Sequence, residues 1–202
     1  MKRDVGVVTP THPGRASHLL EAAIRSVYVQ TVPVHAHAVY VDHERYGAAY
    51  ARQRALDMNH QTWTAFLDSD DWFMPEHIEV LLRGAEESGA DYVYSWFFLG
   101  NGQGYITDHD SVFPITHYTE PWDPTKPRHT TMTVLVKTEL AKEVGFITVP
   151  DNGEIAHRQG EDWEFTLGCN NLGTIHHIVQ RTWVWNHHGA NTSGIPGRGD
   201  AQ

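Results

Sequence analysis

Short apolar runs alternate with segments of helical spacing along the first half of the chain. The runs predict buried strands, and they cover Val5–Thr9, Ala36–Val41, Trp63–Leu67 and Tyr92–Phe98. Between the strands, apolar residues recur at helical spacing and predict helices within 17–27, 47–59 and 75–89. The resulting order βαβαβαβ predicts a mostly parallel sheet with helices on both faces.

Three residues predict where these helices start and stop. Ser17 is of a type that caps helices, and we expect it to cap the first one. Pro75 stands where proline is tolerated at a helix start. Gly89 follows the third apolar stripe and is expected to end that helix.

The second half of the chain has a less regular pattern. Residues 100–127 are rich in Gly, Pro, Asp and Thr, which predicts loops and an edge hairpin. A strand is predicted over 131–136, then a short helix to Val144, a helix over 161–171 and a last strand over 175–185. The polar segment 149–160 predicts a mobile loop. With no internal repeat or linker, we predict one α/β domain over 1–202.

Composition and charge argue against several classes of protein and partner. The formal net charge of -10 argues against sequence-independent binding to nucleic acid or anionic lipid. Cys169 is the only cysteine, so no intrachain disulfide can form. No apolar run is long enough to span a bilayer. We therefore expect a soluble, cytoplasmic protein.

An acidic cluster, Asp68-Ser69-Asp70-Asp71, follows the third predicted strand. Carboxylates this close repel one another, so a cation should lie among them, and a divalent metal carrying a phosphorylated ligand is the simplest candidate. Thr9 and Asp42 stand at the ends of the first two strands, on the same expected edge of the sheet. The alternative is an acidic turn that caps the helix near Pro75.

Six segments follow one another in a recognisable order: Val7-Val8-Thr9-Pro10-Thr11 followed by Arg15, Ile24-Arg25-Ser26-Val27, Ala51-Arg52-Gln53-Arg54, Phe66-Leu67-Asp68-Ser69-Asp70-Asp71, Lys142-Glu143-Val144-Gly145-Phe146 and Gly160-Glu161-Asp162-Trp163. In this order they resemble the motifs of inverting glycosyltransferases of the GT-A fold, family 2 type. The resemblance implies a Rossmann-like domain that takes a sugar from a nucleoside diphosphate-sugar donor. It also implies a nucleotide-sugar-binding half over 1–99 and an acceptor and catalytic-base half over 100–202.

The resemblance implies four residues that contact the nucleotide sugar. Asp42 would face the base or ribose with Thr9 beside it, Arg52 would lie near the nucleotide, and Asp68 would approach the ribose. The family usually has Asp-Asp-Gly-Ser after the second strand, whereas this chain continues from Asp42 with His-Glu-Arg.

The remaining implied roles concern the metal and the acceptor. Asp70 and Asp71 would hold Mn²⁺ or Mg²⁺, and His188, rather than its neighbour His187, would be a later metal or phosphate contact. Asp162 would be the general base for an acceptor hydroxyl whose identity the sequence does not reveal, as it does not reveal the oligomeric state. The alternative for Asp162 is a carboxylate favoured at a helix N-terminus.

Two other functions compete with glycosyl transfer. A nucleotidyltransferase could use a similar sheet, although that class usually has a glycine-rich, basic loop after the first strand, and residues 11–15 supply one glycine and one arginine. A non-catalytic nucleotide-sugar or glycan-binding module is the third hypothesis. Intact Asp70, Asp71 and Asp162 argue against it.

Overall fold

A central sheet organises the parts of the chain that the computed structural model describes, which are residues 2–104, 106–107, 118–126, 132–146, 160–188 and 191. The strands are β1 (Val5–Thr11), β2 (Ala36–Val41), β3 (Trp63–Phe66), β4 (Trp72–Phe73), β5 (Tyr92–Gly100), β6 (Ile106–Thr107), β7 (Val134–Lys137) and β8 (Ile175–Asn186). The helices packed against it are α1 (Ser17–Tyr28), α2 (Ala48–Asp57), α3 (His77–Ser88), α4 (Thr138–Val144) and α5 (Glu161–Leu172).

The strand order is β2-β1-β3-β7-β5-β8-β4, with β6 paired to β5. β1 is parallel to β2 and β3, and β5 is parallel to β8. β7 is antiparallel to both β3 and β5, so β2, β1, β3, β5 and β8 all run in one direction. This confirms the mostly parallel sheet, and β6, within the segment 100–127, pairs with the end of β5.

Helices cover both faces of the sheet, as predicted. Side chains alternate along each strand, so Val7 joins one core cluster and Val8 the other. The first cluster holds the apolar faces of α1 and α3, including Val27 and Leu81. The second holds those of α2, α4 and α5, including Leu56 and Phe165 among others.

Some local predictions need correction. Ser17 does not cap α1: the helix begins at Ser17 after Ala16, and no side chain caps it. α3 begins at His77, two residues after Pro75. Gly89 ends α3 as predicted, because its φ of 74° is a left-handed conformation that glycine adopts without strain.

Two further predictions meet the limits of the described residues. The segment 149–160 lies outside them except for Gly160, so the predicted mobile loop stays a prediction. No helix in the described ranges is long and apolar enough to cross a membrane. One continuous sheet draws its strands from both halves of the chain.

Candidate active site

Parallel strands bring the acidic residues to one edge of the sheet. Because β2 and β3 flank β1, Asp42 after β2 and Asp68 after β3 lie on either side of the end of β1. β8 ends at the same edge, where the backbone N–H of Asn186 donates a hydrogen bond of 2.8 Å to Oδ1 of Asp71. This is the edge at which open α/β sheets bind ligands.

Arg52 on α2 joins two segments that are far apart in the sequence. Its Nη2 donates to both carboxylate oxygens of Asp68, at 3.0 Å each, and its Nη1 donates to Oε1 of Glu161 at 2.8 Å. Burial alone would lower the pKa of Arg52, but the charges of Asp68 and Glu161 raise it above its ordinary value. The guanidinium therefore stays charged and ties the acidic cluster to the first turn of α5.

Asp162 lies in that first turn, directly after Glu161. Its Oδ1 accepts a hydrogen bond of 2.8 Å from the backbone N–H of Trp163. Burial raises the pKa of Asp162 above the ordinary 3.8, and the charge of Arg52 opposes this rise without cancelling it. A carboxylate with a raised pKa is a stronger proton acceptor, which suits a general base.

Two polar side chains contact the carboxylate of Asp70. Arg15 Nη1 and His188 Nε2 lie 2.8 Å and 3.0 Å from the same oxygen, Oδ2. Arg15 Nε also donates to Ser69 Oγ at 2.9 Å. Burial alone would raise the pKa of Asp70, but the hydrogen bond with His188 and the charge of Arg15 hold it below its ordinary value. The ring of His187 lies instead edge-on to Trp185.

Asp71 is the most deeply buried carboxylate of the cluster. Its pKa lies well above its ordinary value, because burial and the charges of Asp70 and Asp68 disfavour ionisation. The hydrogen bond from the N–H of Asn186 opposes this shift. Asp71 thus contacts the end of β8, whereas Asp70 contacts Arg15 and His188.

Asp42 and Thr9 have different surroundings. Asp42 is buried, and its Oδ2 accepts the backbone N–H of Gly47 at 2.9 Å. Its Oδ1 is also buried and has no hydrogen-bond partner among the described residues. Thr9 is fully buried, and its hydroxyl lies 2.9 Å from Nε2 of His37, whose pKa burial lowers to about 4. The hydroxyl is thus bonded to β2.

Two arginines offset the repulsion expected among the carboxylates of the acidic cluster. Arg52 pairs with Asp68, and Arg15 pairs with Asp70. Electrostatics alone therefore does not require a metal here. Arg15, Ser69 and Glu161 were not among the predicted site residues. The available signal was charge balance: clustered carboxylates need cations, and Arg15 lies in the loop after a strand of the same edge.

Two of the described side chains could bind a metal, but they do not form a complete metal site. No group of three or more histidine, cysteine or acidic side chains in the described ranges could hold a metal ion by itself. Asp70 Oδ2 and His188 Nε2 are 3.0 Å apart and form a carboxylate–imidazole pair, which suits Mn²⁺ if phosphate oxygens complete the shell.

A cavity of about 680 Å³ borders His188. Its wall includes Ala16, His18, Asn101 and Gly102. Of the residues around Asp70, His188 lines this cavity. Another cavity, of about 500 Å³, is lined by residues 27–28 and 30–37, at the start of β2 and so away from the strand ends described above.

The sheet and the edge with its acidic cluster define a protein of the GT-A type. The model of the family described as glycosyl transferase family 2 matches residues 32–145, more than half of the chain. The chain therefore belongs to glycosyl transferase family 2, as the motif order predicts. No curated protein matches the sequence.

Solved structures of S. aureus TarS are similar to this chain in fold. For TarS 1-349 the TM-score is 0.69 at 18% identity, over 91% of this chain and 60% of that one. The complex with UDP gives 0.68 at 16%, over 91% and 60%. The complex with UDP-GlcNAc gives 0.68 at 17%, over 92% and 59%. The chain thus spans about three fifths of the TarS chain it resembles.

Proposed function

We propose that the chain is an inverting glycosyltransferase that moves a sugar from a nucleoside diphosphate-sugar to an acceptor hydroxyl, with Mn²⁺ or Mg²⁺. One observation carries the proposal. Arg52 bonds both Asp68 in the acidic cluster and Glu161 beside Asp162. This supports one site that combines a donor-binding edge with Asp162, a partly buried carboxylate with a raised pKa.

Asp162 is the proposed general base. Inversion is a single displacement at the anomeric carbon, in which the acceptor oxygen forms a bond as the bond to the diphosphate breaks. The acceptor hydroxyl loses its proton during the attack, and the Asp162 carboxylate takes it. Its raised pKa supports this assignment.

Asp42, Thr9, Arg52 and Asp68 are the proposed nucleotide-sugar residues. The buried Oδ1 of Asp42 has no partner among the described residues, which supports a hydrogen bond from a donor group of the nucleotide. Arg52 fixes the orientation of Asp68 through two hydrogen bonds. Thr9 would act through β1 and its bond with His37. The complexes of TarS with UDP and UDP-GlcNAc make these the first nucleotides to test.

Asp70, Asp71 and His188 are the proposed metal-site residues. Asp70 and His188 would hold the ion directly, and Asp71, bonded to the N–H of Asn186, would fix the turn that presents Asp70. When bound, the metal neutralises charge that grows on the leaving diphosphate.

The test is a panel of nucleotide sugars, beginning with UDP-GlcNAc, incubated with Mn²⁺ and a set of hydroxyl acceptors. We expect release of a nucleoside diphosphate and a transferred sugar of inverted anomeric configuration by NMR. Asp70→Ala should abolish the release, and chelation of the metal should do the same. Exposed Asp57→Ala, on α2, is the matched control and should keep wild-type release.

Three other results would contradict the proposal in whole or in part. Pyrophosphate release from a nucleoside triphosphate and a sugar phosphate would indicate a nucleotidyltransferase. Metal-dependent nucleotide binding without turnover against any acceptor would indicate a binding module. Retention of the anomeric configuration would refute the inverting mechanism alone.

A further inference from the structure

One oxygen of Asp70 accepts two contacts. Oδ2 lies 2.8 Å from Arg15 Nη1 and 3.0 Å from His188 Nε2. The three side chains are largely buried, with exposures of 18% for Arg15, 12% for Asp70 and 11% for His188. Arg15 Nη1 is also 3.4 Å from His188 Nε2. A guanidinium therefore lies where the carboxylate and the imidazole face each other.

We propose that Arg15 acts as an interlock between metal and diphosphate. Without nucleotide, Arg15 binds Asp70 and prevents free metal from binding there. When a diphosphate binds, Arg15 releases Asp70 and binds the diphosphate. This inference rests on the proposed function. A divalent cation bound through Asp70 and His188 would compete with Arg15 for Oδ2, and the two positive charges would repel each other.

A diphosphate changes this balance. Its oxygens give the guanidinium a new anionic partner, and arginine binds phosphate with two parallel hydrogen bonds. Asp70 and His188 are then free to take the metal. Metal and nucleotide must consequently raise each other's affinity by the same factor, because binding free energies are linked reciprocally.

Arg15 lies where it could exchange its contact with Asp70 for a contact with a diphosphate. It follows the turn in which its N–H bonds the carbonyl of His12, and it precedes α1, which begins at Ser17. The cavity beside His188 is lined by Ala16, the next residue. Ser69, bonded to Arg15 Nε, holds the guanidinium on the cluster in the absence of ligand. Arg15 is thus a positioning residue for metal and diphosphate.

The test measures binding rather than turnover. Mn²⁺ affinity is measured without nucleotide by the EPR signal of free Mn²⁺, and UDP affinity by calorimetry with and without Mn²⁺. Arg15→Gln should bind Mn²⁺ about tenfold tighter than wild type without nucleotide. The factor by which Mn²⁺ raises UDP affinity should fall several-fold in the variant. Ser69→Ala should shift both quantities in the same direction by less.

Arg3→Gln is the matched control. Arg3 pairs with Glu86 ahead of β1, at the opposite end of the sheet, and its loss should leave Mn²⁺ affinity unchanged. Circular dichroism checks that each variant is folded, and Ser69→Ala repeats the test if Arg15→Gln is not.

Two outcomes would overturn the interlock, and they differ in what else they refute. If Arg15→Gln binds Mn²⁺ no tighter than wild type while Mn²⁺ still raises UDP affinity in both, the interlock alone is wrong. If neither UDP nor any other nucleoside diphosphate of the panel binds either protein with Mn²⁺ present, the proposed donor site is wrong and the inference falls with it.

Discussion

At the scale of single residues, the burial of a carboxylate decides what it can do. Burial raises the pKa of Asp162, which is partly buried, and of Asp71, which is almost fully buried, yet their contacts differ. Asp71 bonds the N–H of Asn186 at the end of β8. Asp162 lies beside the Arg52 link, where the raised pKa serves proton transfer.

The pH profile tests the role of Asp162. Only the deprotonated carboxylate can accept a proton, so kcat should fall as pH falls through its pKa. Because burial raises this pKa above 3.8, the fall should begin at a higher pH than for an exposed aspartate. The measurement is kcat across pH with saturating donor. A rate that stays constant down to about pH 4 would contradict the assignment.

Asp42 tests donor recognition. Asp42→Asn can still accept the hydrogen bond from the N–H of Gly47. It can, however, place an NH₂ group, which does not accept hydrogen bonds, at the position of the unpaired Oδ1. We expect the donor KM to rise about tenfold with little change in kcat, since one hydrogen bond to a charged group is lost. Steady-state kinetics with the active donor measures this. An unchanged KM would show that Oδ1 does not contact the donor.

Individual residues also show which parts of the site could be predicted from the sequence. Asp68, Asp70 and His188 were predicted from motif order, because the family fixes their types. Arg15 belongs to the first motif, but its role in the site could not be predicted, because its partner Asp70 lies 55 positions away in the sequence. Only folding of β1 beside β3 brings the two together.

At the scale of elements, the central link is between α2, the segment after β3 and the start of α5. Arg52 makes it with bonds to Asp68 and Glu161. The Arg52 side chain is 8% exposed, so Asp68 or Glu161 without Arg52 would be a poorly solvated charge.

The order of the elements was predictable from the spacing of apolar residues. The position of antiparallel β7 between β3 and β5 was not, because local sequence patterns do not show which strands pair.

Two arginines on α2 give a matched stability test. Arg52→Ala should lower the free energy of unfolding by about 3 kcal/mol, because it breaks a buried ion pair and leaves two carboxylates uncompensated. Arg54→Ala removes a pair with Asp57 that is about half exposed and should cost less than about 0.5 kcal/mol. Urea denaturation measures both. Equal losses would mean that Arg52 does not link these elements.

At the scale of the whole molecule, one sheet edge collects residues from both halves of the chain. The acidic cluster comes from the first half, and His188 and Asp162 come from the second. Burial in this fold, rather than any local motif, sets the raised pKa of Asp162. That is why the motif order could predict the residues but not their electrostatic states.

The most direct test of the account is Asp162→Asn in the transfer reaction. The account predicts a fall in kcat of about 10²–10⁴-fold, with donor affinity within about twofold of wild type, because only the proton acceptor is lost. Glu164→Gln, an exposed acid in the same helical turn, is the matched control and should retain wild-type kcat. A kcat for Asp162→Asn within about threefold of wild type would contradict the account.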